Sequence, residues 1–388
     1  MILASESQEL FYKAFAEEEE YVYFSHGRLE ILGNHTDHNR GLTMCSGVSM
    51  GITASVSKDD EDTVTIYSKG YPKFSFDIDD LEVKEKDKGT SLALTRGVLA
   101  GMKEKGYKIG GFKMAAVNDI FEGAGVSSSA CYESLIAKIE DDLYNDGKMD
   151  PLDMALIGQY AENVHFGKPC GLLDQIGTSF GGLNYVDFKD DVPEVEHLSF
   201  PFHLHIVLVN PGQSHEKLTH LYASIPADMK GVAKTLFGKE VLREVSREEF
   251  FANIGRPTPS LSERAKLRAT HFFEENNRVL AARQAIYSKD ENAFLDAINM
   301  SGLSSQSMLG NTFVPGLYEK SPQQAIDALK PLLAKGGAIR IMGGGFAGSV
   351  IAFVPDNVFS TFMATAKSYF GDSSTVEVEI LEGGPFRL

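Results

Sequence analysis

Apolar residues recur along the chain in two rhythms, and the rhythms change often. Leu135, Ile139 and Leu143 follow one another at four-residue intervals, the spacing of one helix face, and Gly147 stands ready to end that helix. Asp150 and Pro151 read as cap and first-turn residue of another helix. It would run to about Phe166 before Gly167 and Pro169 stop it. Helical patterns return over Glu263–Tyr287 and Gln323–Leu333. Strands are expected at Thr63–Tyr67 and Lys73–Ile78, and at His203–Asn210, where Ile206, Val207, Leu208 and Val209 form a buried-type run. Ala338–Met342 and Ser349–Val354 read as strands on either side of a glycine turn, and Val376–Leu381 as a last strand. Helices and strands are interleaved without regular alternation, which favours an α+β fold over a parallel doubly wound sheet.

The length of 388 residues exceeds what one core usually spans, so two domains are expected, 1–200 and 201–388. The interruption at Ser199–Phe202 marks the change. Hydrophobic content of 43% and charged content of 23% are those of an ordinary soluble protein, and no apolar run approaches a bilayer span. The first residues lack the basic and apolar regions of a signal peptide. Cys45, Cys131 and Cys170 form neither a disulfide framework nor a metal pattern, so a reducing cytoplasm is the expected location. A net charge of −17 argues against nucleic acid or an anionic membrane as partner. An anionic substrate would have to be held by oriented amides, a divalent metal and a few placed cations.

Four segments concentrate chemistry. Residues 122–130 set two glycines before three serines at the start of a helix. Unpaired amides and the positive end of the helix dipole suit phosphate there, although a flexible turn with a serine cap would read the same way. Gly27–Gly41 packs polar groups more densely than a core strand would. It suits a polyhydroxylated ligand or, more plainly, a polar turn; His35 and His38 lack the spacing of a metal site. Glu162 and Asp174 stand twelve positions apart across a Gly-Lys-Pro break; one could hold Mg²⁺ while the other faces a substrate hydroxyl, or both could be solvated surface acids. Arg340–Gly348 contains a formal GxGxxG, but a strand follows rather than a helix. Its glycines therefore speak for a close backbone approach and not for a dinucleotide fold. A Walker-type GxxxxGK[ST] is absent.

In order and spacing these segments resemble the galactokinase branch of the GHMP small-molecule kinases, over nearly the whole chain. Gly27–Gly41 looks like the family's galactose signature and Gly123–Ala130 like its phosphate loop. Cys170–Gln175, Arg340–Gly348 and Phe237–Val245 resemble further family segments. The resemblance implies an N-terminal domain like ribosomal protein S5 domain 2, a ferredoxin-like C-terminal domain, and transfer of a phosphoryl group from ATP to the C1 hydroxyl of a sugar. It implies that Asp174 faces that hydroxyl and that Arg28 pairs with Asp174. Gly123, Ala124, Gly125, Val126, Ser127, Ser128 and Ser129 would cradle the ATP phosphates, and Ser129 and Glu162 would hold Mg²⁺. Asn34, His35, Asp37, Gly171, Asp174 and Tyr222 would hold the sugar.

The chain departs from the family pattern at the sugar. Asn34 replaces a glutamate that reaches the 6-hydroxyl, Glu30 replaces an asparagine, His38 a tyrosine and Met342 a threonine. A neutral amide would tolerate a C6 carboxylate, so galacturonate is an alternative to galactose. Some relatives bind sugar and ATP only as sensors. Here Arg28, Glu162, Asp174 and the serine run are all present.

Overall fold

The computed structural model describes residues 2–121, 123–213 and 218–388; Glu122, which opens the glycine–serine stretch, lies outside them. The strands are β1 (Tyr21–Leu32), β2 (Leu42–Asp59), β3 (Thr63–Ser68), β4 (Phe74–Asp77), β5 (Gly111–Asn118), β6 (Leu183–Asp187), β7 (Glu194–Leu198), β8 (His205–Val209), β9 (Ala338–Ile341), β10 (Val350–Val354), β11 (Thr375–Val378) and β12 (Phe386–Arg387). The helices are α1 (Ala4–Phe15), α2 (Ser91–Glu104), α3 (Ser128–Tyr144), α4 (Pro151–Tyr160), α5 (Leu173–Phe180), α6 (Thr219–Phe237), α7 (Arg247–Asn253), α8 (Glu263–Ser288), α9 (Glu291–Ser304), α10 (Pro322–Leu329) and α11 (Asp356–Phe370). Asp150 caps α4 by accepting from the Leu152 amide, with Pro151 in the first turn. That helix widens into a π turn over Ala161–Phe166 and stops at Gly167, φ 81°.

Two sheets carry the fold. The first runs β12-β1-β2-β5-β3-β4, with β6 and β7 branching from β2. Side chains alternate across it. Ala54 and Val56 join the core with α2 and α3, while Thr53 and Ser55 face the other way and bond the Leu3 amide and the Ser7 hydroxyl of the α1 segment. The second sheet is antiparallel, β11-β8-β10-β9, so its strands lie last, first, third, second in chain order, the ferredoxin-like arrangement. Val207, Ala352 and Val354 pack against Phe362 and Leu329 of α11 and α10. The opposite face, with Ile206, Leu208 and Phe353, shares one core with Val279 and Phe294 of α8 and α9 and with Leu29, Ile31 and Met44 of the first sheet.

The fold is α+β with two sheets, each largely confined to one half of the chain. The C-terminal tail crosses back, because β12 pairs with Tyr23 and Phe24 of β1. One expectation needs correction. Gly27–Leu32 is not a polar turn but the second half of β1, and it is buried throughout; the turn is confined to Gly33–Gly41. Its polar pattern misleads because Arg28 and Glu30 are each only 6% exposed and are neutralised by partners distant in sequence.

Candidate active site

The site is built where β1 meets the start of α3. The pairing of β1 with β2 slips between His26 and Arg28 and again between Glu30 and Leu32, so Arg28–Glu30 sit between two irregularities. At the first of these the Arg28 amide donates to the Val126 carbonyl at 2.8 Å. A side chain on Gly27 would lie 2.6 Å from that same oxygen, so only glycine lets the loop close on the strand.

The loop itself takes an unusual path. Gly123 and Gly125 have φ of 75° and 72°, and Ser127 is left-handed at φ 57°, ψ 70°. Ala124 and Val126 are buried anchors between exposed turns. Ser127 is the residue before α3, where a serine commonly bonds the first free amides of the helix. Its side chain does not cap this helix; the Ser127 hydroxyl donates instead to Asp174 Oδ2 at 2.8 Å. The amides at the start of a 17-residue helix are thereby left for an anion, beside the half-buried Ser127 and Ser129 and the exposed Ser128.

Asp174, on the first turn of α5, receives Arg28 Nε on Oδ1 at 2.6 Å and Ser127 on Oδ2. Arg28 also donates through Nη1 to the Gly125 carbonyl, which ties loop, strand and helix together. Burial works to raise the Asp174 carboxyl, but the Arg28 charge and the two hydrogen bonds outweigh it and hold the group below the usual carboxylate range. Its side chain remains 31% exposed, so the carboxylate is still open to solvent.

Glu162 lies one layer deeper, on the π turn, and is 1% exposed. Its Oε1 accepts from Ser129 Oγ at 3.1 Å and from Lys168 Nζ at 3.0 Å; its Oε2 accepts from Gln175 Nε2 at 2.9 Å. A carboxylate and a hydroxyl are the hard oxygen donors that Mg²⁺ takes alongside phosphate and water, so this pair fits such an ion. Sequence reasoning gave no role to Gln175, Glu133 or Lys168. Gln175 also donates to Glu133 Oε2 at 3.1 Å and so fixes the Glu162 carboxylate. Glu133 follows Ser129 by four residues, on the same face of α3, and that spacing was the available signal. Burial, then the Glu162 charge, pushes its carboxyl well above the ordinary range.

The turn after β1 is gripped by α8. Glu275 accepts from the Gly33 amide at 3.0 Å, Ser301 Oγ at 2.6 Å and Arg278 at 2.7 Å, and His271 bonds the Asn34 carbonyl at 2.9 Å. Burial opposes ionisation of Glu275, but Arg278 and its other partners bring it down to about 2. These two residues, one turn apart on a helix the periodicity did reveal, were missed because nothing in sequence links them to a turn more than 230 positions away.

Asn34, expected at the sugar, sits in a closed hydrogen-bond network. It is fully buried, its amide nitrogen donating to Glu30 Oε1 at 2.9 Å and to the Gly343 carbonyl at 2.6 Å. Its oxygen accepts from Asn311 at 2.9 Å and Ser305 at 3.3 Å. All four hydrogen-bonding valences of the amide are used inside the protein. Arg340, fully buried, completes the network on Glu30 at 2.8 Å. The other expected residues converge. His35 Nε2 reaches the Gly344 carbonyl at 2.9 Å, and the Tyr222 ring packs where a Gly344 side chain would be, at 2.9 Å. Asp37 closes on Gly171, and Gly343 lies beside the Arg28 guanidinium. Burial, with His38 nearby, pushes His35 down to about 3, so it is neutral.

Known proteins resemble this chain in sequence and in fold. Residues 9–58 match the galactokinase galactose-binding signature, and residues 93–182 match the N-terminal domain of GHMP kinases. Galactokinase of Glaesserella parasuis is 29% identical over 353 residues, 90% of this chain and 89% of its own. Galactokinase of Lactococcus lactis strain IL1403 is 29% identical over 377 residues, 93% and 90%. The crystal structure of Lactococcus lactis galactokinase complexed with galactose superposes with a TM-score of 0.85 at 26% identity, both chains covered over 100%. Mevalonate kinase of Methanococcus jannaschii, at 11% identity and a TM-score of 0.66 over 93% of this chain and 98% of its own, shares the fold.

Proposed function

We propose, from its likeness to galactokinases and to the N-terminal domain of GHMP kinases, that the chain transfers the terminal phosphoryl group of ATP to the C1 hydroxyl of a monosaccharide, with galactose as substrate. The observation that carries this reading is the triangle of Asp174, Arg28 Nε and Ser127 Oγ beside the uncapped start of α3. It sets an ionised acceptor for an alcohol next to a seat for phosphate.

The phosphate chain of ATP lies along Gly123–Ser129, taken by amides at the helix start. Ser129 and Glu162 would hold Mg²⁺, which would supply charge neutralisation on the phosphates. His35, Asp37, Gly171 and Tyr222 hold the sugar, and Asp174 accepts a hydrogen bond from its C1 hydroxyl. The C1 oxygen forms its bond to the terminal phosphorus as the bond to the bridging oxygen of ADP breaks. Asp174, with its lowered pKa, is a weak base, so it orients the hydroxyl and takes the proton late. Arg28 balances the charge that spreads over the moving group.

Release of ADP, followed over a panel of sugars, tests the reading. Galactose-dependent turnover is expected, and Asp174→Asn with its fold intact should lose roughly 10²–10⁴ in kcat. Background turnover with every sugar would leave a sensor, and wild-type turnover in the variant would remove Asp174 from the mechanism.

A further inference from the structure

Lys168 is the lysine of the Gly-Lys-Pro break between Glu162 and Asp174, and no role could be read for it in the sequence. It stands in the break between the π turn and α5, just after Gly167. Its amino group lies 3.0 Å from Glu162 Oε1, the same oxygen that accepts the Ser129 hydroxyl at 3.1 Å. Glu162 is 1% exposed at its side chain and Lys168 63%. A buried, fixed carboxylate thus meets a cation on an exposed stem with room to turn.

The charges at the site show what that cation can do. Glu162 and Asp174 are two carboxylates, and Arg28 is the cation between the loop and Asp174. Arg28 is committed, with Nε on Asp174 and Nη1 on the Gly125 carbonyl. ATP adds several negative charges, in a chain whose own charge is −17. A divalent ion on Glu162 and Ser129 takes the oxygen that Lys168 holds, and like charges repel at such range. Lys168 must then leave that oxygen. Asp174 and Glu133 also feel the Lys168 charge, but each is already hydrogen-bonded within the protein, and the phosphate group that comes in with the ion is a new partner the ammonium can follow as a point charge.

We propose that Lys168 is a further catalytic residue: its ammonium leaves Glu162 when metal-bound ATP enters, pairs with the terminal phosphate, and neutralises charge as the phosphoryl group moves to the sugar. The proposal rests on the kinase reading above. Before nucleotide arrives, the same ammonium keeps the buried Glu162 charge paired, which is costly to leave alone.

Binding separates this role from a structural one. The full chain, as wild type, Lys168→Met and Lys168→Arg, is titrated by calorimetry with the β,γ-imido analogue of ATP and with AMP, in Mg²⁺ and in EDTA. Lys168→Met should bind the analogue about 10- to 100-fold more weakly in Mg²⁺, the range of a lost charge-assisted hydrogen bond, and lose less in EDTA, where no ion displaces the ammonium from Glu162. AMP affinity should stay near wild type, which also reports an intact fold, and Lys168→Arg should recover most of the loss. Analogue binding by Lys168→Met as tight as wild type, or tighter, overturns the proposal and leaves Lys168 as a partner of Glu162 alone. Failure of the wild type itself to bind the analogue removes the kinase reading, and the proposal with it.

Discussion

Gly177→Ala sets a gain in helix propensity against a clash at the site. Gly177 lies on α5, one turn after Asp174, and its φ is ordinary, so alanine fits the backbone. Alanine would favour the helix by roughly 1 kcal/mol if nothing else changed. The added carbon, however, would lie 2.6 Å from Arg28 Cβ, 3.2 Å from its Cγ and 3.7 Å from its Cδ. Carbon atoms rest at about 3.5–4.0 Å, so α5 and β1 must separate by about 1 Å. The Arg28 side chain is 8% exposed and tied at Asp174 and Gly125, and it has no easy way out. Overpacking of this kind costs about 1–3 kcal/mol, enough to cancel or reverse the propensity gain. The separation opens the Arg28–Asp174 contact itself, and a displacement of about 1 Å in a reacting group can cost about 10²-fold. Urea midpoints and kcat for the sugar, measured together, should show stability equal to or below wild type and kcat reduced about 10- to 100-fold. Gly231→Ala on α6, where an added carbon meets nothing within 4 Å, is the control and should stabilise by about 0.5–1 kcal/mol with kcat unchanged. A Gly177→Ala enzyme that is more stable and fully active would refute the packing argument.

Three further outcomes follow from buried groups. Stability should fall as pH drops below about 6.5, because burial lowers His271 to about 4 and His35 to about 3. A depressed histidine contributes stability that is complete above its unfolded pKa, and each site loses about 1.4 kcal/mol per pH unit below it until its folded value is reached; urea midpoints at pH 7.5 and 5 that coincide would contradict this. Glu275 adds stability of the same sign, present above about 4.5 and lost as pH falls toward its folded value of about 2, so acid unfolding of Glu275→Gln should be less steep there. Asn34→Glu places a second carboxylate against Glu30 in a fully buried network and should destabilise by on the order of 3 kcal/mol, with recovery in the double variant that also carries Glu30→Asn; chemical denaturation of the single variant at wild-type midpoint would show that the network is not closed.

Asp150 with Pro151 and the apolar spacing in α3 and α8 set helices that the fold keeps, because caps and period act within a few residues. The α+β class, the order of the motifs and the pairing of a glycine–serine loop with two acids could be read in the same way. What lies between distant residues could not. Arg28–Asp174 spans 146 positions and Arg340–Glu30 spans 310, so a polar stretch that looks like a turn becomes a buried strand only when those charges meet. The partners of Asn34 were hidden for the same reason, since Asn311 and the Gly343 carbonyl lie 277 and 309 positions away. Local propensity is encoded residue by residue, but the neutralisation of a buried charge depends on which part of the chain arrives beside it. Only the packing of the two sheets against a shared core decides that.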